Sequence, residues 1–349
     1  MLKIAILGSG ANGAAIGANL VQSSYDVTLI DQWPAHVEKM RAEGITIIMP
    51  HKKDVIPIKV LHIYEVAELT DSFDIVFIVT KAYDALWSSV LIEPYLKPNG
   101  LLVAVQNGMT AEMVADVVGN HRTLGCVIEI SSALYEPGII HRNTPPEHSW
   151  FAVGSFHPDT KGRESEIVEL LSHAGTCEIS DDILSAKWMK LVYNSATIAT
   201  TAILGLTMAE AINIPGMRDL MLRAGQEAID VGDTLGYKRL PILGLTEKDI
   251  LESNRIVETM IDCGYKNFII DETKAGILQD WEKGRRSEAW NMNGHVVDKA
   301  DNLNMNAPVS KAIINLTQRI ENHELKPDPK NLTLLNDLIK SYCAETARY

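Results

Sequence analysis

Gly8-Ser9-Gly10-Ala11-Asn12-Gly13 stands between an apolar run, Lys3–Leu7, and a helical pattern over Ala11–Gln22, with Gly17 one turn further on. The spacing G-x-G-x-x-G is weak alone, and between a strand and a helix it has a physical task. The first glycine makes a tight turn, the second lets the backbone approach a pyrophosphate, and the third lets helix pack closely on strand. The helix N-terminus then offers unpaired N–H groups and a positive dipole end to the phosphates. Gly8, Ser9, Gly10, Ala11, Asn12 and Gly13 are therefore candidate cofactor-binding residues. The plain alternative is a glycine-rich turn with no ligand.

Outward from this turn, strand-like runs recur at Asp26–Ile30, Asp74–Val79 and Leu101–Val105, with a helical pattern near Asp84–Leu96. Further runs at Leu124–Ile128, Gly138–Arg142 and Trp150–Val153 follow, the last two separated by the loop Asn143–His148. Near-continuous apolar strands with helices between them predict a parallel sheet covered on both faces. Beyond about Asp181 the patterns are helical, broken at Ile214-Pro215-Gly216, at Gly236–Thr246 and at Ala307-Pro308, with Asn267–Ile270 ambiguous. The expected fold is α/β: a Rossmann-like dinucleotide-binding domain with a mostly parallel sheet over residues 1–180, then an all-α domain over 181–349 for substrate and dimerisation. After Lys326-Pro327-Asp328-Pro329 one more helix sets Leu335, Leu338, Ile339, Tyr342 and Cys343 on helical spacing. That stripe needs cover from its own domain or from a partner subunit, and a homodimer is compatible with it.

Composition removes several function classes. The 349 residues carry 32 Lys+Arg against 45 Asp+Glu, a net charge of −13, the wrong sign for neutralising nucleic-acid phosphates or anionic lipid. No apolar run reaches the roughly 20 residues that span a bilayer, and the N-terminus enters a strand without a basic-then-apolar leader, so a cytoplasmic location is expected. Cys126, Cys177, Cys263 and Cys343 form no C-x-x-C, and His141, His148 and His157 have no zinc-like grouping, so no metal site is expected. Trp281 and Trp290 are expected to pack the helical domain.

The end of the second strand bears on the cofactor. Asp31 lies 18 residues after Gly13, where an acidic residue hydrogen-bonds the adenosine ribose hydroxyls. A carboxylate there repels a 2′-phosphate, and the following Gln32 and Trp33 offer no arginine to receive one. NAD is thus expected over NADP. Read plainly, Asp31 caps a strand end.

Five segments then resemble the ketopantoate reductase family: G-S-G-A-N-G at 8–13, V-T-K-A-Y at 79–83, V-Q-N-G-M at 105–109, K-W-M-K-L-V-Y-N at 187–194 and S-E-A-W-N-M-N-G at 287–294. A shorter A-P-V at 307–309 fits the turn before the family's last helix, and the resemblance runs in order from residue 1 to about 324. It implies a Rossmann domain followed by a helical domain, and reduction of a 2-oxo acid to an (R)-2-hydroxy acid with a nicotinamide cofactor. Lys190 matches the family's catalytic lysine. Hydride delivery to a ketone leaves negative charge on oxygen, which an ammonium stabilises and then protonates. Asn194 is placed i+4 from Lys190, on the same helix face. A lysine must lose solvation for efficient proton transfer, since burial lowers its pKa; a solvated helix lysine is the plain alternative. By the same resemblance Glu288 contacts the substrate hydroxyl side and orients the lysine, Asn107 lies between nicotinamide and substrate, and Lys81 reaches the cofactor ribose. Their plain readings are a charged helix face, an Asn-Gly turn and a strand-end surface lysine.

Two positions depart from the family. Where it commonly carries a serine for the substrate carboxylate this chain has Gly276, and where a second asparagine often follows the first it has Ile198. An acid other than ketopantoate is therefore expected. Ketopantoate reduction with NADPH, a histidine-based hydroxy-acid or opine-type dehydrogenase, and a non-catalytic NAD(H) sensor are the competing readings.

Overall fold

The computed structural model describes residues 2–251 and 255–346. The chain divides into two compact units, Met1–Leu184 and Ser185–Tyr349. The strands of the first unit are β1 (Lys3–Leu7), β2 (Asp26–Asp31), β3 (Ile45–Met49), β4 (Lys52–Ile56), β5 (Lys59–His62), β6 (Phe73–Ile78), β7 (Leu96–Ala104), β8 (Thr123–Glu129), β9 (Ser132–Glu136), β10 (Ile139–Arg142), β11 (Trp150–Gly154) and β12 (Thr176–Ile179). Its helices are α1 (Ala11–Gln22), α2 (Pro34–Glu43), α3 (Ala85–Ile92), α4 (Ala111–Val118) and α5 (Glu164–Leu171).

Eight strands form the main sheet in the order β12-β11-β8-β7-β6-β1-β2-β5, parallel throughout except for β8 against β11. Strand β1 is buried on both faces because its residues alternate between two cores. Ile4 and Ile6 pack with Ala14, Ala18 and Leu20 of α1, whereas Ala5 and Leu7 join the layer of Ala85, Ile92 and Val114 from α3 and α4. The chain leaves β1 for β2 on one side and for β6 on the other. The C-terminal ends of these strands therefore flank a crevice of the kind that binds ligands in open α/β sheets.

The predicted helix over Asp84–Leu96 is shorter: Pro94 ends it, and Leu96 already begins β7. That strand carries Pro98-Asn99-Gly100 through a register slip, pairing Phe73 with Leu96 and then Ile75 with Leu101. Of a second sheet, β4-β3-β10-β9, the sequence reading gives only the run Gly138–Arg142, which is β10. Arg142 fastens it to the rest of the unit. Its buried guanidinium donates to Asn19 of α1, to the Thr144 carbonyl at 2.8 Å, to Ser149 at 3.0 Å and to the Ala174 carbonyl at 2.6 Å. Burial lowers its pKa to about 10, so it keeps its charge at neutral pH among neutral acceptors.

The second unit contains α6 (Ile183–Ala202, which begins two residues earlier), α7 (Met208–Ala211), α8 (Met217–Leu235), α9 (Glu247–Leu251), α10 (Ile256–Phe268), α11 (Gly276–Glu282), α12 (Asn293–Asn302), α13 (Pro308–Glu321) and α14 (Asn331–Thr346). The ambiguous Asn267–Ile270 is the end of α10 and a following turn. Helix α6 is the spine: of its 20 residues all but Leu184 and Ile198 are buried. Glu227 of α8 caps α13, accepting the Val309 and Ser310 N–H groups at 2.7 and 2.8 Å. The last helix packs on α13 with Leu332, Leu335 and Ile339 buried, while Leu338 and Tyr342 are half-buried and Cys343 exposed. Its own unit thus covers the stripe at Leu335 and Ile339 and leaves its far end partly open. Among the described residues no helix is long and apolar enough to cross a membrane.

Replacing Arg142 with Met should lower stability by about 2–4 kcal/mol, because several buried acceptors lose their donors at once. Urea denaturation measures this; a loss within about 0.5 kcal/mol would show that the guanidinium does not hold the small sheet.

Candidate active site

The glycine turn is built by close approach. Gly8 has φ +94, and a Cβ on it would meet the Thr80 nitrogen at 2.6 Å; a Cβ on Gly13 would meet the Gly8 oxygen at 2.1 Å. Gly10, by contrast, has nothing within 4 Å of where a Cβ would stand, so the mouth of the turn is open. The first intrahelical bond of α1 runs from Ala14 N–H to the Gly10 carbonyl at 2.9 Å. The N–H groups of Ala11, Asn12 and Gly13 precede it and are the orphan donors of a helix N-terminus. A dinucleotide pyrophosphate fits this cradle. Asp31 ends β2 beside it, accepting the Ser9 hydroxyl at 3.2 Å and the Trp33 N–H at 2.8 Å. A carboxylate offers about four acceptor sites, so two ribose hydroxyls still find partners. The Ser9 side chain therefore braces Asp31, a role that motif spacing does not reveal.

Lys81 and Asn107 follow neighbouring strands at the same edge of the sheet, three residues beyond β6 and three beyond β7. Both are half-buried. The Asn107 turn is held by its predecessor: Gln106 donates to the Ile78 carbonyl at 2.9 Å and accepts from Thr110 at 3.1 Å, and Gly108 takes φ +76. Gln106 was not singled out from sequence, though a buried amide beside an Asn-Gly turn is a usable signal.

In the second unit Lys190 and Asn194 lie one turn apart on α6, Lys190 being 7% exposed and Asn194 fully buried. Burial lowers the Lys190 ammonium to about 7. The Tyr193 ring lies 4.9 Å from Nζ, close enough for its negative face to favour the ammonium. Tyr193 sits there because position 264 is glycine; a Cβ at that point would meet the tyrosine hydroxyl at 2.4 Å. The same burial pushes the Tyr193 phenol up, so it stays protonated. The amine is thus divided between its charged and neutral forms near neutral pH, as a proton-exchanging group must be.

Glu288 is buried at the head of a short turn, Ala289–Asn291. Its position is set by a residue that sequence reading passed over. Glu321, at the end of α13, accepts the Ser287 N–H at 2.9 Å, the Ser287 hydroxyl at 2.7 Å and the Trp281 indole N–H at 3.3 Å. Five residues after Glu288, Asn293 donates to the Ser195 carbonyl at 3.1 Å, tying this segment to α6 beside Asn194. Trp290, expected to pack the domain, is instead 45% exposed. His295 is half-buried against Trp188, and its loss of solvent together with Lys299 pushes it down to about 4. It is therefore neutral at physiological pH and unsuited to acid–base exchange there. Gly276 is exposed, with open space beyond its Cα, and Ile198 is half-buried.

Comparison with known proteins adds a common origin to this geometry. Residues 4–156 match the family profile described as "Ketopantoate reductase PanE/ApbA", and residues 182–321 match its C-terminal counterpart. A 2-dehydropantoate 2-reductase of Archaeoglobus fulgidus is 24% identical over 326 residues, covering 91% of this chain and 98% of the relative. Among solved structures, D-mandelate dehydrogenase with NADH and anilino(oxo)acetate is similar with a TM-score of 0.82 at 20% identity, covering 92% of this chain and 99% of the other. A PanE/ApbA family ketopantoate reductase from Ralstonia eutropha gives 0.77 at 21% identity, with 92% and 99% covered.

The depressed lysine also has a cost in stability, and its sign is definite. Between about pH 7 and the ordinary 10.5 the unfolded chain binds the proton that folded Lys190 has lost. The burial penalty is therefore fully present below pH 7 and relieved as pH rises toward 10.5. Relative to wild type, Lys190→Met should gain most stability near pH 7 and progressively less toward pH 10, read by urea denaturation at each pH. A difference that does not change with pH would show that the amine titrates normally.

Proposed function

The chain belongs to the ketopantoate reductase family, and from that premise we propose an NAD-preferring enzyme that interconverts a 2-oxo acid and its (R)-2-hydroxy acid, with Lys190 as general acid and base. The observation that carries the reading is the buried amine on α6, whose pKa has been brought to about 7. When bound, the dinucleotide supplies or takes up the hydride. In reduction, the carbonyl π pair moves onto oxygen as its carbon gains the hydride; the Lys190 ammonium stabilises that charge and gives the oxygen a proton. In oxidation the neutral amine takes the hydroxyl proton instead. Asn194 orients the acid by hydrogen bonding, and Asn107 serves the nicotinamide side. Glu288 serves the substrate hydroxyl side and helps orient the lysine. The Gly8–Gly13 backbone holds the pyrophosphate, Asp31 the adenosine ribose, and Lys81 the other ribose.

NAD is favoured because Asp31 is already braced as an acceptor by Ser9 and Trp33. A 2′-phosphate there would meet like charge. The substrate is best read as a 2-oxo acid with an apolar 2-substituent. Ile198 supplies apolar surface, Gly276 leaves open space where a side chain would stand, and the structurally similar mandelate dehydrogenase holds anilino(oxo)acetate.

Consumption of NADH and of NADPH, measured separately across 2-oxo acids of increasing apolar bulk and with ketopantoate, tests this directly. The expected result is turnover with NADH on bulky apolar acids exceeding that on ketopantoate, and a fall of about 10²–10⁴ in turnover for Lys190→Ala with NADH binding unchanged. Preference for ketopantoate with NADPH would overturn the cofactor and substrate assignments. NADH binding without turnover of any acid would favour a sensor, and near-normal turnover of the alanine variant would remove Lys190 from the mechanism.

A further inference from the structure

His36, in the first turn of α2, is fully buried and bonds the turn between β1 and α1. Its Nε2 lies 2.9 Å from the Ser9 carbonyl oxygen, and its Nδ1 accepts the Gly138 N–H at 2.8 Å. A backbone N–H can only donate, so Nδ1 carries the lone pair and the ring proton sits on Nε2, where it donates to Ser9. The tautomer is therefore dictated from outside the ring. The donor that dictates it comes from the small sheet. Gly138 lies in the turn between β9 and β10 with φ +76, and a Cβ there would meet Lys39 Cγ at 2.6 Å. Its own carbonyl accepts the Thr46 N–H of β3 at 2.9 Å, which fixes the turn in register with the sheet.

The consequence for the glycine turn follows from peptide planarity. In a trans peptide the C=O of one residue and the N–H of the next point in opposite directions. With the Ser9 carbonyl drawn toward His36, the Gly10 N–H is turned the other way, away from His36. The neighbouring bonds complete the brace: Gly8 N–H donates to the Ile30 carbonyl at 2.9 Å, and the Ser9 hydroxyl donates to Asp31. The His36 bond holds the carbonyl side of the Ser9–Gly10 peptide. The small sheet grips the same region again through Ser132, which donates to Asn12, and Arg142, which donates to Asn19.

We propose that His36 is a positioning residue for the dinucleotide: held by the Gly138 N–H of the small sheet, it pins the Ser9 carbonyl and so presents the Gly10 N–H to the pyrophosphate. The proposal rests on the reading that the glycine turn takes NADH. It gives the small sheet a task, as a rigid backing for a phosphate-binding peptide that pre-organises it before the cofactor arrives.

The test compares His36→Leu, which removes both ring nitrogens, with His36→Gln, whose amide again offers one acceptor and one donor. NADH dissociation constants of the full chain are measured by fluorescence beside thermal stability and, where a turned-over acid is known, turnover at saturating NADH. The leucine variant is expected to bind NADH about tenfold or more weakly, with saturated turnover within about threefold of wild type and binding largely restored by glutamine. Unchanged affinity in the leucine variant, or equal loss in leucine and glutamine variants, would overturn the proposal. Should the leucine variant fail to fold, nitrogen NMR of the wild-type imidazole decides: a proton on Nε2 is expected, and one on Nδ1 overturns the proposed bond. A wild-type chain that binds no NADH would instead refute the reading of the glycine turn itself.

Discussion

The second unit is organised around the burial of a primary amine. Helix α6 is covered along almost its whole length, and Lys190 is enclosed with it rather than reaching out to solvent. Removing an ammonium from water is expensive, and a protein meets that expense by neutralising the group, by giving it partners, or both. Here the pKa falls to about 7 and the Tyr193 ring lies against the charge. Much else in the unit follows from keeping that helix covered. Gly264 makes room for Tyr193, Glu227 seats α13, and Glu321 fixes the segment that carries Glu288.

The first unit solves a different problem with backbone. Its turn presents N–H groups, whose directions are set by peptide planes rather than by rotamers. Rigidity there has to come from what holds the polar groups behind the turn. The main sheet supplies Ile30 and Asp31, and the small sheet supplies Gly138 through His36. The small sheet, which also buries Ile45, Ile47 and Ile140 in the core, thereby takes on a second task.

Legibility in the sequence followed the range of the interactions. Strand β1 and helix α1 were readable to the residue because an apolar run, a glycine turn and a helical period are local signals. Of the small sheet only β10 was, since β4 is Lys52-Lys53-Asp54-Val55-Ile56 and β10 finds its parallel partner β3 across most of the domain. Among the candidate site residues, Lys190, Asn194, Glu288, Asn107 and Lys81 stand out in the sequence as matches of type and order to a family. The residues that hold them were not: Ser287 meets Glu321, and His36 meets Gly138, through contacts with no local pattern. Trp290 shows the same limit from the other side, because an aromatic in an apolar context reads as core and here faces outward. The C-terminal stripe did imply burial, but only tertiary structure could show that α13 supplies the cover.

The central claim is that burial has made Lys190 a group able to exchange a proton near neutral pH. The most direct measurement is the pH dependence of kcat/KM for reduction of a turned-over 2-oxo acid by the wild-type enzyme. Because the ammonium is the form that donates, the account predicts a plateau at acid pH and a decline governed by an apparent pKa near 7. An activity that stays level from pH 6 to 10 would contradict it, since the amine would then be an ordinary solvated lysine.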